Sequence, residues 1–130
     1  MQIKIGDTAK ATRVFDLKAG LIFAELTGDF NPVHFDEAFS KNTIFNKPIV
    51  HGPLVITLVT TLFAHELPGP GSIYLSHDVK YLRPVYYGDE ITATLEVIDV
   101  NEKQHIFIKT TCFNQNGDIV IDGIARLKNK

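Results

Sequence analysis

The chain has 130 residues, 45% of them hydrophobic and 22% charged, with a formal net charge of −2. It is long enough for one domain with a substantial core and too short for two ordinary ones, and its charge gives no general attraction to nucleic acid or acidic membranes. The single cysteine, Cys112, cannot form an intrachain disulfide; the N-terminus lacks the apolar core of an export signal and the longest apolar run, Pro53 to Ala64, is too short to span a bilayer, so a cytoplasmic protein is expected.

In chain order, Ala9 to Phe15 is compatible with a short strand. Asp16 can cap a helix over Leu17 to Leu26 whose inward face would be Ile22, Phe23 and Leu26, with Leu21 beside it, although Gly20 interrupts the span. This helix delivers the chain to Asp29. Asp29 and His34 lie five residues apart, separated by Asn31-Pro32, which disfavours the α region at Asn31 and points to a turn. One loop can therefore present a carboxylate and an imidazole toward one point, an acid/base pair in search of a substrate. Asp36-Glu37-Ala38-Phe39 reads as a helical turn begun by acidic residues, and Asn42 to Pro48 as loop.

The run Pro53 to Leu67 is rich in β-branched residues, yet its fifteen residues exceed a usual strand. Pro opens it and Pro-Gly-Pro-Gly closes it, so a helix is expected, apolar nearly all the way round and buried on most sides. Its start, His51-Gly52-Pro53, would offer free N–H groups to an oxygen carrying developing negative charge. After Gly71 the pattern changes to period two. Ile73, Leu75, Val79 and Tyr81 share one face of a strand, and Ile91, Ala93, Leu95 and Val97 line the next. Ile106, Ile108 and Cys112 follow, then Ile119, Ile121, Ala125 and Leu127. Asn101-Glu102-Lys103 and Asn116-Gly117 are turn signals, so an antiparallel meander is expected. The whole is an α+β arrangement, a sheet wrapped round one helix, whose open edges a second copy could complete.

Plainer readings stand beside the chemical ones. An Asp before Phe-Asn-Pro commonly just stabilises a turn, and a loop His is usually a polar surface group. Asp36 reads as a helix start, and His51 either orders the donor loop or fills space. His65, His77 and His105 make no metal set with convincing spacing. Arg83 reads as a strand-end charge, and Tyr81, Tyr86 and Tyr87 as core or interface.

Three stretches change those odds. Phe23-Ala-Glu-Leu-Thr-Gly-Asp-Phe-Asn-Pro-Val-His-Phe-Asp36, Ile49-Val-His-Gly-Pro-Leu54 and Val79-Lys-Tyr-Leu-Arg-Pro-Val-Tyr-Tyr-Gly-Asp89 resemble the MaoC-like, (R)-specific enoyl-CoA hydratases of the hotdog fold, in the right order over nearly the whole chain. The Gly-Asp-x-Asn-Pro-x-His core is specific to that family, and the Arg-Pro-Val and Gly-Asp elements are softer. The resemblance implies a homodimer or dimer of dimers, no metal, and no cofactor beyond the coenzyme A or acyl-carrier thioester that is the substrate, held at the subunit interface. It implies Asp29 and His34 as the catalytic pair and Gly52 as the amide donor to the thioester carbonyl. Thr60 matches a small hydroxyl residue of the central helix near the pair, and His51 and Asn31 are further substrate-site candidates. Pro53 stands where relatives often carry Met or another apolar residue, and lacking an N–H it leaves the oxyanion contact to Gly52 or another amide. The expected reaction is reversible hydration of a trans-2-enoyl thioester to the (R)-3-hydroxyacyl thioester. A carrier-protein dehydratase, a thioesterase and a non-catalytic acyl-binding module are the alternatives.

Overall fold

The computed structural model describes residues 2–129. Strand β1 (Thr8–Val14) leads to helix α1 (Leu17–Thr27), a 3₁₀ turn (Pro32–His34) and the short α2 (Glu37–Ser40), then to the long α3 (Gly52–His65). Strands β2 (Ile73–Tyr81), β3 (Glu90–Val100), β4 (His105–Phe113) and β5 (Ile119–Lys128) complete the chain. All strand pairs are antiparallel, in the order β1-β3-β4-β5-β2. The meander expected from sequence holds for β3, β4 and β5, but β2 leaves it and pairs with β5 at the far edge. The segment 82–89 carries the chain back across the sheet, tied down by Leu82 N–H to the Val120 carbonyl and by Val50 N–H to the Val85 carbonyl.

Helix α3 lies on the inner face of the sheet. Val55, Leu58, Val59, Leu62 and Phe63 are buried against Ile91, Leu95, Ile108, Ile121 and Leu127 in one continuous core. Each such side chain removed from water contributes roughly 1.5–3 kcal/mol before the entropy of ordering is charged against it. The opposite face of α3 is not covered: Pro53, Thr61 and Ala64 are exposed, so burial on most sides does not hold within one copy.

The inward face of α1 also differs from expectation. Gly20 and Ala24 are buried, whereas Leu21, Ile22 and Leu26 point outward at 43%, 57% and 82% exposure. The reason is close approach: a Cβ on Gly20 would sit 2.6 Å from the Tyr87 hydroxyl, so only the smallest residues fit where the helix meets that ring. In β2, a bulge between Tyr74 and Ser76 inserts Leu75 as an extra residue. The bulge shifts the alternation, so Tyr74, opposite buried Leu127, shares the inner face with His77 and Val79, and Ile73 and Leu75 do not. No described helix is long and apolar enough to cross a membrane. A long helix cradled by a curled antiparallel sheet in this strand order is the hotdog fold.

Candidate active site

The loop after α1 is built from short polar side chains that bond their own backbone. Gly28 ends the helix at φ 82° with its N–H on the Ala24 carbonyl, a left-handed cap that turns the chain out of the helix at Asp29. Asp29 Oδ1 accepts from Asn31 N–H at 3.2 Å, and Asn31 Oδ1 accepts from Val33 N–H at 3.2 Å, opening the 3₁₀ turn. Asp36 Oδ1 caps α2 through Phe39 N–H at 3.0 Å. Asn31 and Asp36 thus shape the loop. Asp29 both shapes the loop and keeps its second oxygen free of it.

That second oxygen, Asp29 Oδ2, faces His34 Nε2 at 3.9 Å, too far for a direct hydrogen bond and suited to two groups that share a third atom. His34 Nδ1 lies 2.9 Å from the Ile49 carbonyl, which only accepts, so Nδ1 carries the proton and the neutral ring turns a bare Nε2 lone pair toward Asp29. Burial is the main reason that His34 titrates below its ordinary 6.5, and nearby His51 adds to it; the Ile49 bond and the Asp29 charge pull the other way. The result is an imidazole that is neutral at neutral pH beside a carboxylate, able to take a proton.

The elements behind the pair are joined by ties from distant parts of the chain. His51, fully buried, donates Nε2–H to the Asp29 carbonyl at 3.0 Å and stacks on the His34 ring with centroids 3.8 Å apart. Tyr87 donates its hydroxyl to the His34 carbonyl at 3.0 Å. Tyr87 is the site residue that the sequence reading passed over as core or interface; the signal that pointed to it is Gly20, a glycine in a helix interior whose missing side chain makes room for that ring.

Gly52 begins α3. The N–H groups of Leu54 and Val55 both turn back to the His51 carbonyl, at 3.0 and 3.2 Å, and Pro53 has none, so Gly52 presents the amide at the helix mouth. A Cβ there would lie 2.7 Å from the Tyr81 ring, so glycine is required for the ring to lie over the helix start. Gly52 and Tyr81 border an apolar groove of about 540 Å³ that also takes in Phe45, Leu82, Arg83 and Val85. The Asp29–His34 pair is not in that groove. His34 borders instead a cleft of about 260 Å³ with Glu37, Lys47 and Tyr86.

Thr60, half-buried, stands on α3. It lies eight residues along α3 from Gly52, about 12 Å at the rise of an α-helix, and its hydroxyl donates to the Thr57 carbonyl at 3.1 Å. Arg83 is exposed at the end of β2, as a strand-end charge would be. Asp29, His34 and His51 each offer a ligand atom within 4.8 Å of the others, which raises the possibility of a metal centre. Their geometry opposes it. The two imidazoles are stacked with planes only 25° apart, so their in-plane lone pairs run side by side rather than converge, and His34 Nδ1 and His51 Nε2 are both committed as donors to carbonyls.

The family model of the MaoC like domain matches residues 5–116. The (R)-specific enoyl-CoA hydratase of Aeromonas caviae is 40% identical over 127 residues, spanning 97% of this chain and 95% of that protein. A mitochondrial 3-hydroxyacyl-(acyl-carrier-protein) dehydratase of Arabidopsis thaliana is 35% identical over 127 residues, spanning 95% of this chain and 75% of that one. Among solved structures, the (R)-hydratase of A. caviae involved in PHA biosynthesis superposes with a TM-score of 0.93 at 39% identity over 98% of both chains. With a family model spanning most of its length and relatives this similar from end to end, the chain belongs to the MaoC-like family.

Proposed function

We propose that the protein is an (R)-specific enoyl-CoA hydratase, adding water reversibly across the 2,3 double bond of a trans-2-enoyl thioester. The observation that carries this reading is the Asp29–His34 pair, 3.9 Å apart, with two acceptor atoms turned toward each other in a loop that His51, the residue before Gly52, ties to the start of α3. Two acceptors suit the two hydrogens of one water, leaving its oxygen lone pair for C3. As the C3–O bond forms, the π electrons move through the thioester oxygen, where the Gly52 N–H stabilises the developing charge. His34 Nε2 takes one water proton and returns it to C2, while Asp29 holds the other hydrogen and offsets the transient imidazolium. Every atom of the water and of the enoyl thioester is then in the product, and no further cofactor or metal enters the scheme.

The reading includes a homodimer. Strand β2 is an open edge with Ile73, Tyr74, Leu75 and Tyr81 each about half exposed, and the uncovered sides of α1 and α3 carry Leu21, Ile22 and Pro53. Pairing β2 with its copy would satisfy the edge and cover these residues.

Hydration of crotonyl-CoA, followed by loss of the enoyl thioester absorbance with chiral analysis of the product, tests the proposal. Asp29→Asn and His34→Ala should fold and lose roughly 10²- to 10⁴-fold in kcat. Near-normal turnover in either would remove the pair from the mechanism. Faster turnover of a crotonyl-carrier protein than of crotonyl-CoA would favour the carrier-protein dehydratase, the activity of the Arabidopsis relative. Release of free coenzyme A thiol would indicate a thioesterase.

A further inference from the structure

We propose that His51 is the positioning residue of this site: its ring clamps the backbone of Asp29 and the imidazole face of His34 in one arrangement, so that both acceptors hold their places. The inference rests on the hydratase reading for its kinetic test and on geometry alone for its spectroscopic one.

Three observations converge on this residue. His51 is 0% exposed, and its Nε2–H bonds the carbonyl of Asp29 across a sequence separation of 22 residues. Its ring is stacked on that of His34 and is enclosed by Phe23 and Phe35, with centroids at 4.8 and 5.6 Å. Its Nδ1 is the only buried side-chain nitrogen or oxygen among the described residues with no hydrogen-bond partner.

The orphaned nitrogen is informative because it is unfavourable. A buried acceptor left without a donor keeps its full desolvation penalty, and two other kinds of side chain would avoid it. Phe would fill the same volume between aromatic neighbours with no unsatisfied atom. Asn or Ser would cap α3, a task that His51, standing at the N-cap, leaves undone. Neither replacement does both things that His51 does. Phe has no donor for the Asp29 carbonyl, and Asn has no flat face for His34. The peptide of His51 also leads directly to the Gly52 amide, so one residue ties the acceptor pair to the oxyanion donor.

The two tasks can be separated by substitution. His51→Phe keeps the ring and removes the donor. The loop at Asp29 loses its tether, and kcat for crotonyl-CoA should fall roughly 10- to 100-fold with KM within about twofold, as expected when a reacting group is misplaced by about 1 Å. The acid limb of its pH–rate profile should rise only by the loss of the His51 interaction that adds to the lowering of His34, because the apolar cover over His34 is intact. His51→Asn loses that interaction too and also removes the ring, lets water reach the face of His34 and relieves the burial that is the main cause of its lowered titration, so the acid limb should move further upward than in His51→Phe. The other groups facing His34 are unchanged in both variants: Asp29 on one side, the Ile49 carbonyl at Nδ1, and Glu37, Lys47, Tyr86 and Tyr87 around the cleft.

A measurement on the wild-type protein needs neither variant nor turnover. In histidine-selective NMR the His51 Nε2–H should be protected from solvent exchange, unlike the ring protons of exposed His65. Exchange as fast as that of His65 would overturn the clamp even in a fully active enzyme. Wild-type kcat in folded His51→Phe would overturn the tether, and an acid limb in folded His51→Asn no higher than that of His51→Phe would overturn the stacking role. If the wild type hydrates no enoyl thioester, the functional reading fails while the exchange result still decides the clamp.

Discussion

Gly20→Ala is an informative distant perturbation of the site. On an exposed helix this change gains about 1 kcal/mol, since Ala has the higher helix propensity. Here the new Cβ would lie 2.6 Å from the Tyr87 hydroxyl and 2.9 Å from its Cε1, contacts that ring or helix must yield to. Overpacking of this kind costs about 1–3 kcal/mol. Displacing the ring also breaks the 3.0 Å bond from Tyr87 to the His34 carbonyl, about 1 kcal/mol more. The balance is a loss of about 1–3 kcal/mol, or a fall in Tm of roughly 4–12 °C for a chain of this size. Thermal unfolding of Gly20→Ala, Tyr87→Phe and the double variant measures it. In the Tyr87→Phe background the nearest clashing atom and the bond are already gone, so Gly20→Ala should cost about 1 kcal/mol less than in the wild type. Crotonyl-CoA turnover should fall in Gly20→Ala as His34 loses its backbone anchor. A higher Tm in Gly20→Ala, the result that propensity alone would give, would refute the reasoning.

Burial holds both His34 and His77 below 6.5, so the unfolded chain binds protons more readily; their share of stability is complete above pH 6.5 and is lost as pH falls through the folded values. His77 joins the Tyr74 hydroxyl to the buried Thr110 hydroxyl, the latter at 2.8 Å, and His77→Phe should therefore flatten the fall of the urea midpoint between about pH 7.5 and pH 5. An equally steep fall in that variant would contradict the assignment. Gly123 stands opposite Val79 on β2, where a Cβ would approach the Asp78 carbonyl to 2.2 Å. Gly123→Ala should cost 3 kcal/mol or so, the upper range for overpacking, and loosen β2 first, which hydrogen exchange along Ile73–Tyr81 would register. The Cys112 thiol is pushed up to about 12 by burial and should react with a disulfide reagent only at the rate of unfolding.

Much of the protein was readable from its residues in order. Asp16 caps α1 where expected, accepting from Ala19 N–H at 2.9 Å, and Ile91, Ala93, Leu95 and Val97 all point inward on β3. These features depend on neighbours within a few residues, where capping chemistry and a two-residue period act directly. The loop carrying Asp29 and His34 belongs to the same class, because Gly28, Asn31 and Asp36 shape it locally.

What escaped the sequence depends on what lies across the fold. The Leu75 bulge, the placement of β2 beyond β5, and the outward Leu21 and Leu26 follow from which surfaces meet, and a hydrophobic period marks an apolar face without saying what covers it. Which nitrogen of His34 is free is likewise decided by the Ile49 carbonyl fifteen residues away, and the roles of His51 and Tyr87 by bonds to the backbone of residues 22 and 53 positions distant. The order of the residues therefore determined that a carboxylate and an imidazole would share a loop. Only tertiary packing decided their protonation and aim, because those depend on burial and on partners that the chain brings near by folding.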